Sequence, residues 1–256
     1  MEAPRSSAAP AELEEDTGLA HLTERFEFGK HPIQIQLRVP RALADSTRVT
    51  LSAALTEVQR IAEPARELSV QPTLLPSFPE LERISQHYGA IHRQLAQSAP
   101  LSTGESPPLD TLLRAYAVDR AADILWREGS TDFLISTDNL HRARGSQAPG
   151  HTDGWRVALP ASEGSPGEVL VLQDRAVASH RQNGTSTSVV AAQAMLAWVA
   201  ALSLNHCGSD SGSDALAEGL ECRRARQSGG GSETPGFSAM MEPVGLQPDT
   251  RTDPSP

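Results

Sequence analysis

Few side chains in this sequence stand at spacings that do chemistry. Asp119 and Asp123 lie one helical turn apart in Tyr116-Ala-Val-Asp-Arg-Ala-Ala-Asp-Ile-Leu125, where they could share a cation or form a solvated acidic face. His87, Tyr88 and His92 fall in one helical stretch, but an i, i+5 pair does not bring two imidazoles to one ion, and there is no HExxH. Asp214-Ala-Leu-Ala217, followed by Glu218, offers two carboxylates of the kind a hard cation takes. Ser136 and Ser179 lack the context of a nucleophile elbow. The two cysteines, Cys207 and Cys222, are in no CxxC pair, so neither a zinc site nor a disulfide framework is indicated, and both read as small, semi-buried residues. The basic cluster Arg223, Arg224 and Arg226 reads as a solvated face.

These candidates depend on elements that the hydrophobic pattern outlines. Phe26-Glu-Phe and Ile33-Gln-Ile-Gln-Leu-Arg-Val39 alternate with period two and predict a hairpin turning through residues 29–32. Apolar residues at helical spacing predict helices over 40–61, with Ser46 or Thr47 as N-cap, over 79–96, and over 109–127, the last closed by Gly129. Short strands are expected at 132–136, 155–159, 168–172 and 176–179. An apolar helix follows over 188–206 and a polar helix over 210–226. Asp138 and Asn139 suit a turn, since both tolerate left-handed backbone. The fold class expected is α+β, with mixed sheets packed against long helices.

Composition sets the outer bounds. In 256 residues, 38% are apolar but only 4% aromatic, so the core must be built from Leu, Val, Ile and Ala. A formal charge of -10 argues against a nucleic-acid partner, which needs a basic face. The longest apolar run, 189–204, is interrupted by Gln193 and Ser203 and is too short for a transmembrane segment. The acidic, Pro/Ala-rich start shows no secretion signal or lipobox cysteine, so a cytoplasmic protein is expected. Residues 1–21 and the Gly/Ser/Pro-rich 227–256 read as disordered flanks of a folded 22–226.

Several pieces, in order, resemble the ApbE family of FAD:protein FMN transferases. They are Phe28-Gly29, Glu57-Val58, Glu67-Leu68-Ser69, the Tyr116-Ala-Val-Asp119 helix, Trp155-Arg-Val157, Ala176-Val-Ala-Ser179 and Ser188-Val-Val-Ala-Ala-Gln-Ala-Met-Leu-Ala197. The resemblance implies an ApbE-like fold, with FAD and magnesium as cofactors. It also implies a reaction, the magnesium-dependent transfer of FMN from FAD to a Thr or Ser of a flavoprotein partner. In that frame Tyr116, Asp119, Asp138 and Asn139 are the candidate cofactor-binding residues, and His180 is the candidate remnant of a catalytic loop.

The same resemblance marks departures. The family's D-L-G-G-I-A-K-G reads Leu109-Asp-Thr-Leu-Leu-Arg-Ala115 here, and its G-G-D turn reads Thr137-Asp138-Asn139. Side chains replace the bare backbone that lets a phosphate or flavin approach closely. The family's metal-ligand Asp and Thr fall at Trp198 and Leu202, which offer no oxygen to a cation, with Asp214 as a relocated alternative. Transfer activity is therefore expected to be lost or reduced. The rival expectations are a working transferase with an altered site and a non-catalytic protein-interaction or flavin-binding module on the same fold.

Overall fold

The computed structural model describes residues 18–28, 31–70, 82, 84, 86, 89–90, 109–146, 154–160, 168–206, 219–226 and 231–241. Strands β1 (Leu19–Phe28) and β2 (His31–Pro40) form the expected hairpin, and a 3-10 turn leads into helix α1 (Ala44–Val70). Ser46 and Thr47 do not cap α1. Both sit inside it and donate to the Leu43 carbonyl at 2.9 and 2.8 Å, because the 3-10 turn carries the chain into the helix ahead of them. Of the expected 79–96 helix, the described residues are helical and Ile84 is buried.

Helix α2 (Leu109–Arg127) has the predicted bounds. Gly129, at φ +87°, ends it in a Schellman motif, with Ser130 N–H on the Leu125 carbonyl at 2.9 Å and Gly129 N–H on Trp126 at 3.0 Å. Strands β3 (Phe133–Thr137), β4 (Leu140–Arg144), β5 (Trp155–Leu159), β6 (Glu168–Leu172), β7 (Ala176–Gln182) and β8 (Thr185–Ala191) follow. Helix α3 (Ala194–His206), strands β9 (Glu221–Arg226) and β10 (Gly231–Glu233), and helix α4 (Pro235–Met240) complete the described elements.

The fold is α+β. Eight strands run in the order β1-β2-β3-β4-β7-β8-β9-β10, and β5-β6 form a separate hairpin. Among the described residues every strand pairing is antiparallel. Consecutive strands such as β1–β2, β3–β4 and β7–β8 are joined as hairpins, while β2–β3, β4–β7 and β8–β9 pair across longer connections that carry helices or the β5–β6 hairpin. Alternation gives the large sheet two apolar faces. Ile33, Ile35, Leu37, Phe133, Ile135, Leu140, Ala178 and Val189 pack under α1, α2 and α3. Leu134, Ala143, Val177 and Val190 face the opposite way, against β5, β6 and α4.

Four expectations change. Residues 188–206 are not one helix: the β-branched run through Val190 completes β8 before α3 begins at Ala194. Asn183 and Gly184, at φ +51° and +73°, form the tight β7–β8 turn. The predicted polar helix over 210–226 ends in strand β9, since Val189↔Cys222 and Ser188↔Arg223 pairing satisfies its backbone, while 210–218 lie outside the described residues. The arginines of β9 are not a simple solvated face either, because Arg223 pairs with Glu168 of β6 at 2.6 Å and with Glu233 of β10 at 3.7 Å. Finally, the folded part extends past both expected ends. β1 starts at Leu19, and β10 with α4 lies within the expected disordered tail, where Phe237 is fully buried and Thr234 N–H bonds the Cys222 carbonyl at 2.9 Å. One buried phenyl ring offsets the polar composition that hides this segment in the sequence. Among the described residues, no helix is long and apolar enough to cross a membrane.

Two predictions follow from the hairpin-side layer. Phe237→Ala should lower stability by about 3–5 kcal/mol in urea unfolding, and truncation after Arg226 by at least as much, as expected for emptying a core position. His141 sits on that same face of β4, opposite Val177, and its Nδ1 is buried without a hydrogen-bond partner. Burial pushes its pKa from 6.5 down to about 4. The unfolded chain therefore takes up the proton first, so stability present above pH 6.5 is lost as pH falls toward 4, by at most about 3 kcal/mol. Urea midpoints across that window should fall, and His141→Gln should flatten the slope.

Candidate functional site

The residues that could carry chemistry gather where the start of α2, the β3–β4 turn and the middle of α3 meet on the helix side of the large sheet. Their placement begins at Asp119. Its carboxylate, half-buried on α2, accepts the Ala194 N–H through Oδ1 at 2.8 Å and the Met195 N–H through Oδ2 at 2.9 Å. These are the first residues of α3, so a side chain 75 residues upstream satisfies orphan amides of that helix and complements its dipole. Arg142 of β4 donates to Asp119 Oδ1 at 3.2 Å and also to the Ala192 carbonyl. Burial raises the Asp119 pKa, against the opposing pull of Arg142 and then the two amides.

With α2 and α3 tied in this way, Arg114 and Trp198 are brought face to face. Arg114 lies five residues before Asp119 on α2, and its Cζ stands 5.9 Å from the centroid of the Trp198 ring. The Arg114 side chain is 6% exposed, and its nearest carboxylate oxygen, Asp138 Oδ2, is 3.8 Å from Nη1. Desolvation lowers the Arg114 pKa, partly countered by Asp138 and then Asp110, but a guanidinium stays charged at neutral pH. The same Asp138 oxygen bonds His31 Nδ1 at the start of β2. His180 of β7 meets Trp198 edge-on, with ring centroids 6.0 Å apart and planes at 83°.

The site residues read from the sequence thus separate into two groups. His180, Asp138 and Trp198 come together around Arg114. Asp119 and Asn139 are spent on structure. Asn139 Nδ2 donates to the Ser179 carbonyl at 2.8 Å while its own carbonyl accepts the Ser179 N–H, which locks the β3–β4 turn to β7. That tie holds the turn without left-handed backbone, and neither Asp138 nor Asn139 has a positive φ. Tyr116 is half-buried against the helix-side core, as is Leu202. Asp214 lies outside the described residues. Trp198 is core, as its apolar neighbours imply, yet its Nε1 has no hydrogen-bond partner. Asp123 pairs with Arg120 at 3.6 Å on the exposed side of α2, while Asp119 is engaged with the start of α3.

Two contributors were not found as site residues in the sequence. Arg114 stood out only as a replaced lysine, and His31 only as a turn residue. His31 and Asp138 are 107 residues apart, and no local signal joins them.

No family model and no curated protein matches the chain. Solved structures do. The flavin transferase ApbE from Vibrio cholerae is similar with a TM-score of 0.60 at 15% identity, over 87% of this chain and 99% of that one. The Pseudomonas stutzeri flavinyl transferase ApbE in its apo form gives 0.58 at 14% identity, over 86% and 97%. The ApbE protein of Thermotoga maritima gives 0.55 at 14%, over 86% and 99%. The fold is that of the ApbE flavin transferases. Within this ApbE fold, the α2–α3 junction carries a guanidinium and an indole packed together.

The Asp119 tie should be worth more than any surface charge here. Asp119→Ala leaves two helix amides unpaired and leaves the Arg142 guanidinium with the Ala192 carbonyl but without its carboxylate, and its expected cost is about 3–5 kcal/mol. Asp123→Ala, which removes an exposed i, i+3 pair, should change stability by less than about 1 kcal/mol. Urea midpoints of the two variants, side by side, check the contrast.

Proposed function

We propose that this protein is a non-catalytic member of the ApbE fold, which recognises a ligand or protein partner without transferring FMN. The observation that carries this reading is the buried Arg114 guanidinium packed over Trp198, at the position where the ApbE resemblance implies a metal ligand. A magnesium ion needs several oxygen ligands in near-octahedral array. The residues here do not fit it. Trp198 and Leu202 supply none, Asp119 is committed to Ala194, Met195 and Arg142, and Asp138 is shared between His31 and Arg114. Among the described residues, no three of His, Cys, Asp and Glu come together as a metal group. A fixed cation at the same place adds repulsion against any dication that approaches.

The flavin side of the resemblance fares similarly. Where the glycines of the family motif are expected, Asp110 and the buried Thr111 occupy the first turn of α2, and Ala115 is fully buried after them. Each Cβ fills space that a bare backbone would leave for a phosphate or a ring. Without a metal to neutralise charge on a transferring phosphoryl group, the largest catalytic contribution to that reaction is missing. The partner implied by the resemblance, a flavoprotein to be modified, is then better read as a protein to be bound, or as no partner at all.

The expected result is that the purified protein, mixed with FAD, magnesium and a Thr-containing target peptide, forms no fluorescent flavin adduct. The double variant Trp198→Asp with Leu202→Thr should remain inactive and lose stability, since replacing a core indole costs about 3–5 kcal/mol before the buried carboxylate is counted. A wild-type protein that transfers FMN, or a double variant that stays folded and does so, would overturn the reading.

A further inference from the structure

The two edges of the large sheet differ. At one, β10 has three residues and its chain turns directly into α4. At the other, β1 runs ten residues in unbroken register with β2, without a bulge, a proline or a lysine. Those are devices that ordinarily blunt a strand edge against pairing with another chain. Part of the charge on β1 is also spent within the strand, since Arg25 Nε donates to Glu27 at 3.1 Å.

The register shows which backbone groups face outward. Arg41 N–H bonds the Gly18 carbonyl at 3.0 Å, in continuation of the Leu19↔Pro40 pairing. Opposed pairs in an antiparallel ladder alternate between bonded and non-bonded, so the even-numbered residues of β1 turn their N–H and C=O toward β2. The odd-numbered ones turn theirs away. Strand β2 agrees: Pro32 and Pro40, opposite Glu27 and Leu19, have no N–H to give, and Arg38, opposite His21, gives its own to Asp132 at 3.0 Å. Among the described residues, nothing bonds the outward N–H and C=O of Leu19, His21, Thr23 or Arg25. His21, Thr23 and Arg25 are exposed. Such an edge is a template for one more strand.

Those four residues are symmetric about Leu22. An antiparallel copy of β1 centred there sets Leu19 against Arg25 and His21 against Thr23 on both sides of a two-fold axis. Every outward group then meets a complementary one, and no other centre pairs these four only with one another. Like charges do not meet, since Glu24 falls opposite Ala20 of the second copy. A centre at Glu24 or Arg25 would set that residue against itself, which is unfavourable. Leu22, part of the helix-side core, sits on the axis. Leu43, one of three large apolar side chains exposed among the described residues, follows the Arg41–Gly18 bond by two residues and adds apolar surface near that end of the edge.

We infer that two copies of this chain join edge to edge through β1, in an antiparallel pairing centred on Leu22 that extends the eight-stranded sheet across a two-fold axis. The pairing is independent of the non-catalytic reading, because β1 carries none of the residues on which that reading stands.

The test is sedimentation velocity of the full chain from roughly 1 to 200 μM, a window that suits a modest interface. A concentration-dependent species of twice the chain mass is expected. Thr23→Pro removes one outward N–H and leaves the β1–β2 ladder whole, because that N–H has no part in it. It should weaken the dimer at least tenfold, while Thr23→Val, which keeps the N–H, should not. Circular dichroism shows whether Thr23→Pro is folded, and amide exchange of the unaltered chain decides without any variant. The His21 and Thr23 amides should exchange slowly at high concentration and fast on dilution. Pairing through β1 is overturned if the purified chain stays monomeric, as it would if the edge served a different protein. It is equally overturned if folded Thr23→Pro dimerises as tightly as wild type, or if those amides are protected alike at every concentration, as cover from within one chain would make them.

Discussion

The carboxylate of Asp119 joins parts of the chain that nothing local would join. It lies inside α2, accepts both leading amides of α3 and receives the Arg142 guanidinium from β4. A buried carboxylate is unfavourable unless its oxygens are fully engaged, and here each oxygen takes a backbone N–H. The relative position of α2 and α3 is thereby fixed near Ala194. Trp198, one turn further along α3, then meets Arg114 on the preceding turns of α2. A second tie, Glu57 of α1 with Arg60 at 2.9 Å and Arg120 of α2 at 3.4 Å, holds the two long helices in register above the sheet. The Glu57 pKa is lowered, chiefly by its hydrogen bond to Arg60.

The region so positioned holds a buried guanidinium packed on an indole. In a site built for a dication, carboxylates point inward and their charge is neutralised by the ion. Here the inward charge is Arg114, the nearby carboxylate is turned toward His31, and an indole supplies the wall. A fold fixes where side chains are presented and not what they carry.

The large sheet also explains why the chain folds further than its composition suggests. Its second face is covered by β5, β6 and α4, and Phe237 fills the centre of that layer. In a segment of glycine, serine and proline, one aromatic residue is a weak signal, yet its burial closes a hydrophobic layer that the hairpin alone leaves open. The β9 strand is similar. Arg223 and Arg224 look solvated in sequence, but Arg223 satisfies Glu168 and Glu233 of the neighbouring strands.

By itself the sequence determined what depends on neighbours a few residues away. The bounds of α2, its glycine terminator, the first hairpin and the burial of Trp198 all follow from apolar period and capping chemistry, which act within one or two turns. The Asn183-Gly184 pair is a hairpin signal beside a β-branched run, which the sequence reading of a helix over 188–206 did not use. Only the tertiary structure decided what each charged residue is for. Asp119 reads as a ligand in sequence and bonds the first amides of a helix in space, and Arg114 reads as a lost lysine and packs buried over Trp198. Their partners, Ala194 for one and Trp198 for the other, lie 75 and 84 residues away, and a pairing over that distance is set by how helices pack on a sheet, not by any pattern within the chain.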